Sequence, residues 1–165
     1  MGELELTYGY DYPEEMVSLF TEYTEMLVRL DPPFQAYLNL QHYEDEVRDL
    51  TVKYGLPDGR LYLARVDGKA VGCISLRKLD ESRCEMKRLY VRPEYRNRQI
   101  ATKLIDQLLR DARFIGYQQL LLDTIPSLTD AIRMYHKLGF RDIPRYNDSP
   151  LDTTVYMGLD LTQKS

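Results

Sequence analysis

Residues 83–105, RCEMKRLYVRPEYRNRQIATKLI, pass from strand to turn to helix within one short span, and the rest of the chain is arranged around that passage. RCEMKRLYV reads as a strand, Pro93 ends it, and Ile100, Leu104, Ile105, Leu108 and Ala112 then recur at helical spacing. A strand that feeds a short turn and a helix leaves the unpaired N–H groups of the first helical turn, and the positive end of the helix dipole, at the end of a sheet. That is an anion site by construction. Arg96 and Arg98 in the turn favour a diphosphate over a lone carboxylate, since two guanidinium groups can grip several oxygens. The turn contains no glycine, the residue that usually lets a backbone cradle phosphate. Asn97 enters left-handed geometry more readily than most residues, and Gln99 needs no glycine where its backbone is already helical.

Upstream, RLYLARV (60–66), the Asp67-Gly68 turn and AVGCISLRK (70–78) form a hairpin. With RCEMKRLYV they make an antiparallel meander. Downstream, Gly116 closes the helix, and QQLLLDT (118–124) is a near-continuous apolar strand of the kind covered on both faces. Ser127 with Asp130 marks a capped start for a helix carrying Ala131, Ile132, Tyr135 and Leu138, which Gly139 stops. Residues 140–143 and 154–161 close the sheet. At the N-terminus Leu4, Leu6 and Tyr8 alternate as a strand, and Pro13 opens a helix through Met16, Phe20, Tyr23, Leu27 and Leu30. Asp31-Pro32-Pro33 ends it, and a second helix is expected from Phe34 towards Leu50. The order predicts an α/β (α+β) fold, with a mixed, mostly antiparallel sheet of about seven strands and about four flanking helices. A chain of 165 residues is expected to form a single domain, 1–165.

The 44% hydrophobic and 29% charged content is that of a soluble globular protein. No apolar run approaches the roughly 18–20 residues of a membrane span, and MGELELTYGY does not have the pattern of a secretory signal, so a cytoplasmic location is expected. A net charge of −4 argues against general nucleic-acid affinity. Positive charge is nonetheless concentrated locally, in Lys87, Arg88, Arg92, Arg96, Arg98 and Lys103, either as a ligand site or as a solvated basic face. Cys73 and Cys84 lie in strand segments, could meet across a hairpin, and have no metal-site spacing. His42 and His136 likewise have no second ligand at metal spacing, so no metal is expected.

The run LYVRPEYRNRQIATKLI (89–105), with Glu85 upstream and AIRMYHKLGF (131–140) downstream, resembles the GCN5-related N-acetyltransferases, the GNAT family. That family carries an Arg/Gln-x-x-Gly-x-Gly/Ala signature for the acetyl-CoA pyrophosphate, matched here by Arg96, Gln99 and Ala101. The resemblance implies that acetyl-CoA is the cosubstrate and that Arg96, Asn97, Arg98, Gln99, Ile100, Ala101 and Thr102 hold its diphosphate. Asn97 and Gln99 stand where many members have glycine, and Leu128 where many have a CoA-contacting Asn. The resemblance further implies a splayed sheet centre, in which the backbone of Leu89, Tyr90 and Val91 pairs with pantetheine and an N–H there holds the thioester carbonyl. Glu85 falls where some members carry a glutamate base, and Tyr135 where the family has a general acid for the CoA thiolate.

An amine acceptor must lose a proton, because an ammonium of pKa near ~10 is almost wholly protonated at neutral pH. The implied acceptor is a small amine or peptide, attacking the thioester directly. Its pocket is expected between Asp31 to Tyr37 and the loop Arg145 to Thr154, where Asp31, Glu44, Asp148 and Asp152 would favour a cationic acceptor. From the residues alone, Glu85 also fits a strand carboxylate paired with Lys87 or Arg83, and Tyr135 a core tyrosine. Two rival readings stand beside the enzyme: a non-catalytic acyl-CoA sensor of the same fold, and a protein- or nucleic-acid-binding module using residues 87–103. No membrane partner is expected, and the terminal strands could pair two copies into a homodimer.

Overall fold

The computed structural model describes residues 2–163. The elements, in chain order, are β1 (Leu4–Tyr8), α1 (Pro13–Leu30), α2 (Phe34–Leu40), α3 (Tyr43–Arg48), α4 (Leu50–Tyr54), β2 (Arg60–Val66), β3 (Lys69–Lys78) and β4 (Arg83–Val91). After them come α5 (Ile100–Ile115), β5 (Gln119–Thr124), α6 (Thr129–Lys137), β6 (Arg141–Asp142) and β7 (Val155–Asp160). Among the described residues the strands form one seven-stranded sheet in the order β1-β2-β3-β4-β5-β7-β6, with β4–β5 the parallel pair and the others antiparallel. The mixed, mostly antiparallel sheet expected from the sequence is present.

Local chemistry accounts for most boundaries. Pro13 sits in the first turn of α1 with Glu14 and Glu15 beside it, where proline's missing donor costs nothing and the dipole favours acids. Asp67 and Gly68 both have positive φ, 52° and 78°, as a two-residue hairpin turn requires. The stripe Leu104, Ile105, Leu108 and Ala112 of α5 is fully buried against Ile74, Leu76, Met86, Leu120 and Leu122 of the sheet. On the opposite face, Met16, Leu19 and Phe20 of α1 and Tyr54 of α4 cover Leu61, Leu63, Cys73 and Tyr90. Each buried leucine, isoleucine, methionine or phenylalanine among them contributes roughly 1.5–3 kcal/mol of apolar burial.

Three expectations need correction. The helix from Phe34 towards Leu50 is broken in three, by His42 in left-handed geometry (φ 55°) and by Asp49 in extended geometry (φ −149°), which caps α4 through the Thr51 N–H. The breaks turn Glu46 of α3 inward to Arg88, a partner no local pattern announces. Ser127 does not cap α6: the cap position is Leu128, and no side chain caps the helix. Cys73 and Cys84 do not meet, because Cys73 faces the α1 side and Cys84 the α5 side of the sheet, and both are free.

Two irregularities of β4 create the site. Its pairing with β5 covers Arg83↔Gln119, Cys84↔Leu120 and Glu85↔Leu121 and then stops, while β4 stays with β3 to Val91 and β5 with β7 to Thr124. The sheet therefore splays. Between the pairs Ser75↔Lys87 and Cys73↔Tyr90, both Arg88 and Leu89 oppose Ile74, a bulge in which Arg88 takes a φ of 59°. The bulge carbonyls are not orphaned, since Ser75 Oγ donates to Lys87 O at 2.8 Å and Cys73 Sγ to Arg88 O at 3.2 Å.

Arg88 is anchored on the α1 side. Its Nε and Nη2 donate to the two oxygens of Glu46 at 3.0 and 2.9 Å, and Nη2 also reaches Gln41 Oε1 at 2.8 Å. Glu46 accepts from Lys53 Nζ and the Tyr54 hydroxyl as well, each at 2.9 Å. Burial alone would raise the Glu46 carboxyl, but Arg88 and Lys53 outweigh it and hold the group at about 2, below its ordinary 4.5.

Candidate active site

At the far end of β4 an open cleft of about 570 Å³ runs between Leu89, Tyr90 and Val91 on one side and the starts of α5 and α6 on the other. Arg96, Asn97, Gln99, Ile100, Ala101 and Thr102 all line it. Asn97 and Gln99 are both left-handed, with φ of 63° and 62°. For Asn97 this is the expected geometry; for Gln99 the condition under which no glycine is needed, a helical backbone, is not met, and the residue stands as the left-handed N-cap of α5. The first N–H of α5 to reach a carbonyl is that of Lys103, on Gln99 O at 3.1 Å. The N–H groups of Ile100, Ala101 and Thr102 have no backbone partner outside the helix among the described residues, and no side chain caps them. The uncapped start of α6, with Leu128 and Thr129, faces the same cleft.

The two arginines of the turn separate. Arg96 lies along the cleft wall, its Nε donating to Val91 O at 2.9 Å and its guanidinium 5.7 Å from the centre of the Tyr90 ring. Arg98 stacks instead on Tyr95 at 5.2 Å and does not line the cleft. A pair of converging guanidinium groups is therefore not what the turn presents. One arginine and two helix N-termini take that place.

Tyr23, Leu89 and Tyr135 are shared between this cleft and a small chamber of about 30 Å³ in the gap between β4 and β5. The chamber, also lined by Phe34, Tyr37 and Asp123, has room for a water or a comparably small group. Tyr135 packs its ring on Phe140 at 5.7 Å, as a core tyrosine would. Its hydroxyl has no hydrogen-bond partner among the described residues, and burial raises its pKa well above the ordinary value, so it keeps its proton at neutral pH.

Beyond the chamber, on the α1 side of the sheet, lies a pocket of about 480 Å³ that holds Glu85. Tyr37, Gln41 and Lys87 line both spaces. Glu85 is 3% exposed, accepts from the Tyr146 hydroxyl, and has Arg77 and Lys87 at 3.7 and 3.8 Å from Oε1. Burial and the Glu85 charge raise the Tyr146 pKa, so that phenol remains a donor. Asp123 accepts from the Tyr37 hydroxyl and from Asn147 Nδ2 at 2.7 Å, and Asn147 Oδ1 accepts from Tyr156 at 2.8 Å. The loop between β6 and β7 is thus fastened to α2 and β5 through Asn147.

Glu85 and Tyr135 therefore stand on opposite faces of the sheet, with the splay as the opening between them. The acceptor-side segments expected from the sequence do contribute, through Phe34, Tyr37, Tyr146, Asn147 and Asp148. The acids expected to select a cation do not: of Asp31, Glu44, Asp148 and Asp152, only Asp148 lines the Glu85 pocket, whose wall carries Lys53, Arg77, Arg83 and Lys87. Lys87, expected from the sequence as a neighbour of Glu85, does stand beside it, whereas Arg83 pairs with Asp80; Asp123 and Glu46 carry no role in the sequence reading. A signal existed for Asp123, since it is the one charged residue in the apolar run QQLLLDT.

Residues 10–140 match the model of the acetyltransferase (GNAT) family, and the chain belongs to that family. An uncharacterized N-acetyltransferase of Schizosaccharomyces pombe is 35% identical over 132 residues, which is 79% of this chain and 81% of the relative. The fold matches that of a GNAT-family acetyltransferase from Staphylococcus aureus, with a TM-score of 0.77, 23% identity and coverage of 96% of this chain and 99% of that one. It also matches the PaiA N-acetyltransferase of Thermoplasma acidophilum, solved in complex with coenzyme A, with a TM-score of 0.74, 16% identity and coverage of 96% and 99%. The protein is an acyltransferase.

Proposed function

We propose that the protein transfers an acetyl group from acetyl-CoA to an amine in a ternary complex. One observation carries the reading: a cleft lined by helix N-termini leads through the β4–β5 gap to a pocket holding a buried carboxylate. Arg96 and the first N–H groups of α5, over Asn97, Gln99, Ile100, Ala101 and Thr102, hold the diphosphate; Arg98 adds charge from the rim. The unpaired β4 edge at Leu89, Tyr90 and Val91 bonds the pantetheine amides and the thioester oxygen. The acceptor enters from the Glu85 pocket, its nitrogen attacks the carbonyl in the gap, and Glu85 receives the proton, directly or through a water. Tyr135 donates to the departing sulfur. Direct attack is favoured over an acyl-enzyme because both cysteines are buried and their thiol pKa values are raised by that burial.

Acetyl-CoA with a panel of amines, read as CoA release, tests this. Turnover should appear with at least one amine, and Glu85→Gln and Tyr135→Phe should each lower kcat by about 10²-fold or more. Acetyl-CoA binding without release on any amine would instead establish a sensor. Asp123 supports a second assignment of the base, because it lines the gap itself and its Oδ1 has no hydrogen-bond partner among the described residues. If Asp123→Asn removes the acidic limb of the pH–kcat profile while Glu85→Gln keeps it, the base is Asp123.

A further inference from the structure

We infer that the acceptor is a small amine that itself carries a carboxylate, of the amino-acid kind, and that Lys87 receives that carboxylate. The inference rests on the acyl-transfer reading for the side from which the acceptor enters. Lys87 is buried, with its side chain 5% exposed, yet among the described residues its ammonium makes no hydrogen bond; the nearest anion is Glu85 Oε1 at 3.8 Å. That single long ion pair leaves the ammonium's three donors free at the wall of the gap and the pocket, and an incoming carboxylate would take them up. Arg88, the next residue in the chain, shows the contrast: its Nε and Nη2 are held by Glu46 and Gln41 at 2.8–3.0 Å. The bulge turns both cations to the same face of β4, where one is used to hold the strand and the other opens onto the gap and the pocket.

The rest of the pocket agrees in sign. Its wall carries Lys53, Arg77, Arg83 and Lys87 against Glu85 and Asp148. Lys53 is already paired with Glu46 at 2.9 Å and Arg83 with Asp80 at 2.7 Å, whereas Lys87 and Arg77 have only longer contacts to Glu85, at 3.8 and 3.7 Å, which leaves their hydrogen-bond donors to a ligand. A carboxylate on Lys87, with Arg77 at the pocket rim, leaves its own amine free to reach the gap that Lys87 also lines, where Asp123 Oδ1 is open and Glu85 stands one pleat behind. A polyamine or other purely cationic acceptor would instead bring further positive charge against Lys87 and Arg77.

The test compares matched acceptors with acetyl-CoA as donor: glycine, alanine and γ-aminobutyrate against the corresponding amides. For the two α-amino acids the amide holds its ammonium proton less tightly and has more free amine, so a preference for the acid cannot come from proton availability. The wild-type protein should favour the acid at least tenfold in kcat/KM, and the acid-to-amide ratio should fall towards one in Lys87→Met, mainly through KM. The ratio isolates recognition, because any change that Lys87→Met causes in Glu85 affects both acceptors alike. Equal use of the amides, or an unchanged ratio in Lys87→Met, overturns the inference while leaving acetyl transfer in place. Should Lys87→Met not fold, as read by its melting curve, Arg77→Met at the pocket rim must lower the ratio, and an unchanged ratio there counts equally against it. If no amine is acetylated, the transfer reading fails separately. The melting temperature of the CoA-loaded protein then decides: a rise with the acids and not the amides upholds the carboxylate site, and no difference overturns it.

Discussion

Glu46 accepts four hydrogen bonds, two of them from Arg88, at a place where a carboxylate without cations would be severely destabilising. Its folded-state pKa of about 2 lies below the ordinary 4.5, so the stability it adds is fully present above pH ~4.5 and is lost as pH falls towards 2. The size is of order 3 kcal/mol, from a shift of roughly 2.5 pH units. Urea denaturation followed from pH 6 to pH 2 should show that loss in the wild type and a flatter profile in Glu46→Gln, which is itself destabilised by about 3–5 kcal/mol at pH 7. In the sequence YEDEVR nothing separates Glu46 from Glu44 or Asp45, because its partner is 42 positions away. Gln99 presents the opposite case, a local strain with a local remedy. With φ at 62° it sits where an L side chain costs about 1–2 kcal/mol, so Gln99→Gly should stabilise the protein by about 1 kcal/mol after glycine's greater unfolded-state freedom is counted. A matched pair of denaturation curves measures it, and a loss of stability would show that the glutamine side chain holds the turn.

At the scale of elements, β4, its turn and α5 were legible because each is specified by neighbours along the chain: a strand pattern, a proline, an apolar stripe. The divergence of Arg96 and Arg98 was not, since it depends on Tyr90 and Tyr95 offering two different aromatic faces. It has a measurable consequence. Arg96→Ala should weaken acetyl-CoA binding by about 10-fold or more, as expected for loss of a charge-assisted contact, and Arg98→Ala by no more than about twofold. Calorimetric titration of the two variants checks this, and equal effects would return Arg98 to the diphosphate. The expected helix from Phe34 towards Leu50 failed for a related reason. Its apolar positions belong to separate contacts, Phe34, Tyr37 and Leu38 with Leu27 and Ile125, and Leu50 with Met16 and Phe20, and a single straight helix cannot serve both.

Across the whole molecule the sheet keeps its two cores apart, and the cysteines record that separation, one in each. Burial raises the pKa of both thiols, so neither should react with a disulfide reagent in the native protein, and both should react in denaturant. A colorimetric thiol count in buffer and in guanidinium makes the comparison; rapid native modification would mean that one core opens. The site was legible only in its halves. The cofactor side follows one continuous stretch of chain, whereas the acceptor side is assembled from α2, β4, β5 and the loop before β7, and its Tyr37–Asp123 contact spans 86 positions. The bulge at Arg88 joins the halves in a way that bears on how the strand can vary. An alternating strand gives every second residue to each face, and Arg88 is an addition to that alternation, so a single deletion at position 88 would close Lys87 onto Leu89 and leave Glu85, Lys87, Leu89, Tyr90 and Val91 on the faces they now occupy. The one extra residue acts as a spacer that carries a tie: without it the strand would keep its pattern but lose the Arg88 link to Glu46, which fastens β4 to α3 beside the splay.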